Sequence, residues 1–96
     1  MEIKKVIEKR CGISLPISGG IANSIKNATA IEPVENYIEV ENQFIGCMLG
    51  NKWEKYEQKL ILEDNVYFID HLSIKYTTDN KLIIYLDFFF NISMCI

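Results

Sequence analysis

Three segments of the C-terminal half of the chain have the residue pattern of β-strands: in the second, apolar residues recur at most alternate positions, and the third is apolar at every position except Asp87. The segments cover residues 53–62, 66–76 and 82–90, and they are separated by Glu63-Asp64-Asn65 and by residues 77–81. A period of two between Asn- and Asp-rich turns is typical of β-strands joined by short loops. The pattern therefore predicts a three-stranded antiparallel meander.

The third predicted strand is apolar on both faces. One face carries Leu82, Ile84, Leu86, Phe88 and Phe90, and the other carries Ile83, Tyr85 and Phe89. A sheet face in contact with water is expected to be polar. Either the N-terminal helix and the 13–28 loop cover this second face, or the second face binds a partner, which could be another copy or another protein.

Two segments show helical spacing of apolar residues. Residues 2–11 form the first, and Gly12 supplies a left-handed stop. Residues 34–49 form the second, with Pro33 at its start, Gly50 at its end and Glu41 at the border of the apolar stripe. Alternation over residues 37–41 also fits a strand, but the helical period continues through the whole segment and favours a helix.

Residues 13–28 read as a packed loop with Pro16, Gly19 and Gly20 as turn residues, and residues 28–31 as a short edge strand before Pro33. Together these elements predict an α+β fold, in which two helices pack on a C-terminal antiparallel β-meander of three or four strands. At 96 residues, the chain is expected to form a single domain, residues 1–96.

The net charge of −3 is unevenly distributed along the chain. Residues 32–64 hold eight acidic and three basic residues, whereas residues 1–31 hold two acidic and five basic ones. The acidic middle segment favours a basic protein partner over nucleic acid. Glu35 and Glu39, spaced i and i+4, would share one helix face, which is either a solvated face or a recognition surface.

Catalytic and metal-binding patterns are missing from the sequence. His71 is the single histidine, and its neighbour Asp70 would point to the opposite strand face, so the two cannot form a dyad. Asp70 shares a face with Phe68 and Leu72, so it needs either a place at the sheet margin or a basic partner. We therefore expect no enzymatic activity, no metal and no cofactor.

The three cysteines, Cys11, Cys47 and Cys95, form no closely spaced pair. They are expected to be small buried apolar residues, with a single disulfide or a reactive thiol as the alternatives. No apolar run approaches the roughly 20 residues that span a bilayer, and the N-terminus does not look like a signal peptide. The expected location is the cytoplasm, away from the membrane.

Several segments, spread over most of the chain, resemble a family of small, uncharacterised bacterial proteins. The matching segments are residues 15–24, LPISGGIANS, and Ala30-Ile31-Glu32, which are similar to that family's P-I-x-G-G-x-x-x-S loop and the strand after it. Trp53, Gln58, Leu60 and residues 84–88 resemble its C-terminal strands, although family members commonly carry Gly at Ala22 and Phe at Leu86. The resemblance implies a stand-alone, immunity-protein-like domain, sometimes encoded near polymorphic toxin genes.

These features suggest an immunity protein that neutralises a bacterial toxin domain, possibly a nuclease. Glu35 and Glu39 would steer a basic toxin, and Tyr67, Tyr85 and Phe89 would anchor it. The alternative is a homo-oligomeric structural or adaptor module that uses the apolar strand face for self-association.

Overall fold

The computed structural model describes residues 2–96, which contain two helices and five strands. In chain order they are α1 (Ile3–Cys11), β1 (Ile17–Gly19), β2 (Thr29–Ile31), α2 (Tyr37–Leu49), β3 (Trp53–Glu63), β4 (Tyr67–Thr77) and β5 (Ile83–Asn91). The strands form one sheet in the order β1-β2-β5-β4-β3. The predicted α+β class is confirmed.

The C-terminal meander has the predicted strands, with every end within one residue of the prediction. β4 pairs antiparallel with both β3 and β5. Asp64 and Asn65 adopt positive φ angles of 52° and 55° in the first turn, a conformation that these two residue types tolerate better than most. Leu72 lies opposite Phe88, and His71 lies opposite Phe89, which confirms the predicted division of β5 into two faces.

The N-terminal strands extend the sheet in a way that the prediction missed. β2 was expected at an edge, but it lies between β1 and β5 and pairs parallel with β5, Thr29 opposite Phe90. The sheet is therefore mixed, and its five strands exceed the three or four expected. β1 was not predicted, because three residues are too few to show a period and its partner β2 follows only after a loop.

α2 begins later than the predicted residue 34. Asn36 caps it by accepting a hydrogen bond from the Glu39 backbone N–H at 3.2 Å, as expected for an Asn N-cap. Glu35 consequently lies before the helix, and the predicted shared helix face of Glu35 and Glu39 is wrong. The alternative strand over residues 37–41 is also wrong.

Both helices contribute to one core, but only α2 packs on the meander. Phe44 of α2 contacts the rings of Phe88 and Phe90, at centroid distances of 6.3 and 5.3 Å. α1 buries Ile3 and Ile7 in the same core, where it contacts β1 and α2. The predicted packing of both helices on the meander is therefore wrong, because α1 packs against β1 and α2 instead.

A disulfide joins Cys11, at the end of α1, to Cys47 of α2, with the two Cα atoms 5.9 Å apart. Cys11 is exposed, so the expected set of three buried thiols is wrong, while Cys95 is free and half-buried. Structural disulfides are typical of oxidising compartments and rare in the cytosol, so this bond does not support the predicted cytoplasmic location, which stays a prediction. Within residues 2–96, neither helix has the length and apolar character needed to cross a membrane.

Candidate functional site

The meander face that points away from α2 is the candidate site, and we term it the open face. Its position follows from strand register: His71 pairs with Phe89, and Lys75 pairs with both Tyr85 and Glu54. These positions alternate with those that contact Phe44, so they project to the other side of the sheet. The open face comprises Glu54, Tyr56, Glu57, Lys59, Ile61, Ile69, His71, Ser73, Lys75, Ile83, Tyr85, Asp87 and Phe89.

The 20–28 loop covers one end of the open face. Ile69 is only 2% exposed there, and a cleft of about 590 Å³ is lined by Ile69, Tyr67 and two loop residues, Ile25 and Ala28, among others. The Phe89 backbone N–H donates to the carbonyl oxygen of Ala22 at 2.8 Å and fixes the loop to β5. The predicted cover by the N-terminal helix is wrong, because α1 packs in the core on the opposite side.

A hydrogen-bonded cluster occupies the middle of the open face. His71 Nε2 lies 3.0 Å from Asp87 Oδ1, and the Ser73 hydroxyl donates to the same oxygen at 3.0 Å. The imidazole also stacks on Phe89, with centroids 4.3 Å apart and planes 16° apart. The hydrogen bond with His71 is the main cause that lowers the pKa of Asp87, and partial burial opposes it.

The cluster differs from a serine–histidine catalytic pair. Serine and histidine both bond to the carboxylate of Asp87, whereas in such a pair the imidazole bonds to the serine hydroxyl. Asp70 does point away from His71, as predicted. The sequence analysis did not identify Asp87 as the hydrogen-bond partner of His71. The register of the β4–β5 hairpin, with Ser73 opposite Asp87, carried that signal.

Two tyrosines dominate the far end of the open face. Tyr56 and Tyr85 pack edge to face, with ring centroids 5.3 Å apart, although they are 54% and 61% exposed. Tyr56 is the extra residue at an irregularity in the β3–β4 pairing between Lys55 and Glu57. Together with Glu54 and Lys75, whose charged groups lie 3.8 Å apart, the tyrosines line a shallow groove.

The five predicted contact residues do not form one surface. Tyr85 and Phe89 lie on the open face, and Tyr67 lies at its loop-covered end. Glu39 lies on α2, across the sheet from Tyr85, and Glu35 lies just before that helix. Both glutamates are exposed. One compact partner surface could therefore contact the aromatic residues or the glutamates, but not both sets.

Two acidic residues lie in a different place from the one predicted. Glu41, expected at the border of the apolar stripe, is fully buried, and Asp70 is 1% exposed. The amide nitrogen of Gln58 donates to both carboxylate oxygens of Asp70 at 3.0 Å. Asp70 thus has neither the basic partner nor the marginal position that its sequence context suggested.

Comparison with known protein families, curated proteins and solved structures finds no match to this chain. The resemblance to small bacterial immunity-like proteins stays a prediction.

Proposed function

We propose that this protein binds another protein through the open face of its sheet and masks the surface that it covers. The observation that carries this proposal is the exposed aromatic pair, Tyr56 and Tyr85, with Ile83 beside it on β5, also more than half exposed. Tyrosine supplies a large contact area at a small cost in side-chain entropy and is enriched among residues that dominate binding energy. A rigid strand scaffold holds these side chains in place before any partner arrives.

The charges around the tyrosines form a polar rim. Lys75 pairs with Glu54 at 3.8 Å, and Lys59 pairs with Glu57 at 3.0 Å. Exposed pairs of this kind contribute little to stability, so they can exchange partners when another surface docks. An apolar centre surrounded by such a rim is the usual anatomy of a protein interface.

The partner in this proposal is a basic bacterial toxin domain, and the protein acts as its immunity protein. The net charge of −3 and the acidic 32–64 segment support a basic partner. Glu35 and Glu39 would contribute long-range attraction rather than contacts, because they lie beyond the sheet from Tyr85. Charges more than about 8 Å apart are largely screened at physiological salt, so this attraction would matter most at low salt.

Co-expression with the product of the neighbouring gene tests the toxin form of the proposal. We expect that product to arrest growth of a bacterial host by itself, and we expect growth to recover when this protein is present. The two proteins should also co-purify. A toxic neighbour whose effect this protein does not relieve would contradict the proposal.

Substitutions on the open face test the surface. We expect Tyr85→Ala to raise the dissociation constant at least tenfold, since removing a central aromatic anchor typically costs about 2 kcal/mol. Leu60→Ala is the matched control, because Leu60 is equally exposed but lies on the other face of β3. Equal affinities for both variants would exclude the open face as the binding surface.

Self-association through the same face is the second candidate, because the exposed aromatic pair would serve a homodimer equally well. Sedimentation velocity of the purified protein distinguishes self-association from binding of a different protein. A dimer that Tyr85→Glu dissociates would favour the homo-oligomeric module, whereas a monomer would favour a different protein as the partner.

A further inference from the structure

Two buried carboxyl groups, one on α2 and one on the sheet, interact in the core. Glu41 belongs to α2 and is 0% exposed, and Asp70 belongs to β4, opposite Phe90, and is 1% exposed. This site lies on the opposite side of the sheet from the open face. Burying even one carboxylate costs several kcal/mol unless it is paired, and two neighbouring carboxylates also repel each other.

The hydrogen bonds distinguish the two groups. Both carboxyl oxygens of Asp70 lie 3.0 Å from the donating amide nitrogen of Gln58, so Asp70 acts as an acceptor. Neither carboxyl oxygen of Glu41 receives a hydrogen bond from any of residues 2–96. An ionised carboxylate can only accept, but a protonated one has a hydroxyl to donate, and Asp70 is the acceptor beside it. Protonation of Glu41 therefore removes one of the two buried charges and gives its side chain a hydrogen-bond partner in the same step.

We propose that Glu41 is held as a neutral carboxylic acid which donates its hydrogen to Asp70, so that the shared proton is a pH-sensitive clamp between α2 and the sheet. The groups that face the pair come from two elements. β3 supplies Gln58, which donates to Asp70, and Lys55, whose charge acts on Glu41. α2 supplies Tyr37, and Cys95, in the segment after β5, acts on that tyrosine.

The surroundings favour the protonated form of Glu41. Burial is the largest cause that raises the pKa of Glu41 from 4.5 to about 9, and the hydrogen bond to Asp70 is the next. Lys55 opposes this shift, as the smallest of the causes. Burial is also the main cause that raises the pKa of Tyr37, and both carboxylates add to it, so the tyrosine offers no compensating charge.

The sign of the pH effect follows from linkage. In the unfolded chain Glu41 loses its proton near 4.5, whereas the folded chain keeps it up to about 9. Between these values the folded state binds one more proton than the unfolded state, so stability falls as pH rises. The stabilisation by the Glu41 proton is fully present below pH 4.5, the unfolded pKa, and is lost as pH rises to about 9, the folded pKa. Above that value the clamp is open.

Glu41→Gln tests the clamp, because the amide can still donate to Asp70 but does not titrate. We expect the unfolding equilibrium constant of the wild type to rise up to tenfold per pH unit between pH 5 and 9, relative to that of Glu41→Gln. Glu39→Gln, two residues away on the exposed side of α2, is the matched control and should keep the wild-type slope. Equal slopes for wild type and Glu41→Gln would overturn the proposal.

A measurement on the wild-type protein keeps the test independent of any variant. The ¹³C resonance of the Glu41 carboxyl carbon, followed by NMR, should show a protonated group at pH 7 that titrates well above that value. Titration between pH 4 and 5 would overturn the proposal. Neither experiment involves a partner, so these results and those for the open face are independent.

Discussion

Phe44 of α2 meets Phe90 of β5 edge to face, with ring centroids 5.3 Å apart and ring planes at 90°. Both rings are fully buried. Phe88, on the same face of β5, stacks nearly parallel to Phe90 at 6.5 Å and also contacts Phe44. The contacts among these three rings hold α2 against the meander. Aromatic pairs of this kind stabilise a fold by more than their buried apolar area alone would.

Removing the Phe44 ring should therefore have a large effect on stability. We expect Phe44→Ala to lower the free energy of unfolding by about 3–5 kcal/mol, because a large cavity would remain between α2 and β5. Ile38→Ala, on the exposed side of the same helix, should cost less than about 1 kcal/mol. Urea denaturation of both variants checks the prediction, and equal losses would contradict it.

The Cys11–Cys47 disulfide should stabilise the fold by constraining the unfolded chain. The cysteines are separated by 36 residues, for which the chain-entropy model gives about 4 kcal/mol. We expect a reducing agent to lower the unfolding midpoint of the wild type but to leave that of the double variant Cys11→Ser/Cys47→Ser unchanged. Cys95→Ser, which leaves the disulfide intact, should respond to reduction as the wild type does. No shift on reducing the wild type would show that the bond contributes nothing.

Gly20 and Gly46 should respond in opposite ways to substitution by alanine. A methyl group on Gly20 would overlap the backbone of Asn27, which closes the 20–28 loop against it. We expect Gly20→Ala to cost about 1–3 kcal/mol, as overpacking does. Gly46 lies inside α2 with open space around it, so Gly46→Ala should stabilise by about 0.5–1 kcal/mol. Thermal unfolding of both variants measures the difference, and a harmless Gly20→Ala would contradict the tight closure of this loop.

The meander could be predicted from sequence because its signal is local. Each strand residue between 66 and 90 lies on one face of the sheet or the other according to its parity, and the turns lie next to the strands that they join. The sequence around β2 does not indicate its position in the sheet, because its parallel partner β5 begins about fifty residues further along the chain. No short-range pattern reports such a pairing, so the central position of β2 was missed.

The site was predictable to different degrees for a similar reason. Tyr85 and Phe89 follow from strand parity alone, and Asp87 could have been assigned to His71 from the hairpin register. The Cys11–Cys47 disulfide could not be predicted from the sequence, because it depends on how α1 packs against α2. Glu41 was misjudged because a residue at the border of a helical stripe becomes buried or exposed according to the width of the surface that the helix covers.

The Asp87 carboxylate should affect stability on the acid side. Its hydrogen bond with His71 is the largest cause that lowers its pKa in the folded state. The folded state therefore holds this proton less tightly than the unfolded chain, whose Asp has a pKa of 3.8. The stabilisation is present above that value and is lost as pH falls through the lower, folded pKa.

We therefore expect Asp87→Asn to lose less stability than the wild type when the pH is lowered from 5 to 3. Asp79→Asn is the matched control: Asp79 pairs with Lys52 at 3.0 Å, but its side chain is almost fully exposed. Since exposed pairs contribute little, this control should keep the wild-type dependence on pH. Denaturation curves of the wild type and both variants between pH 5 and 3 measure these losses of stability. Identical acid profiles for Asp87→Asn and the wild type would mean that the cluster on the open face does not hold Asp87 as a carboxylate.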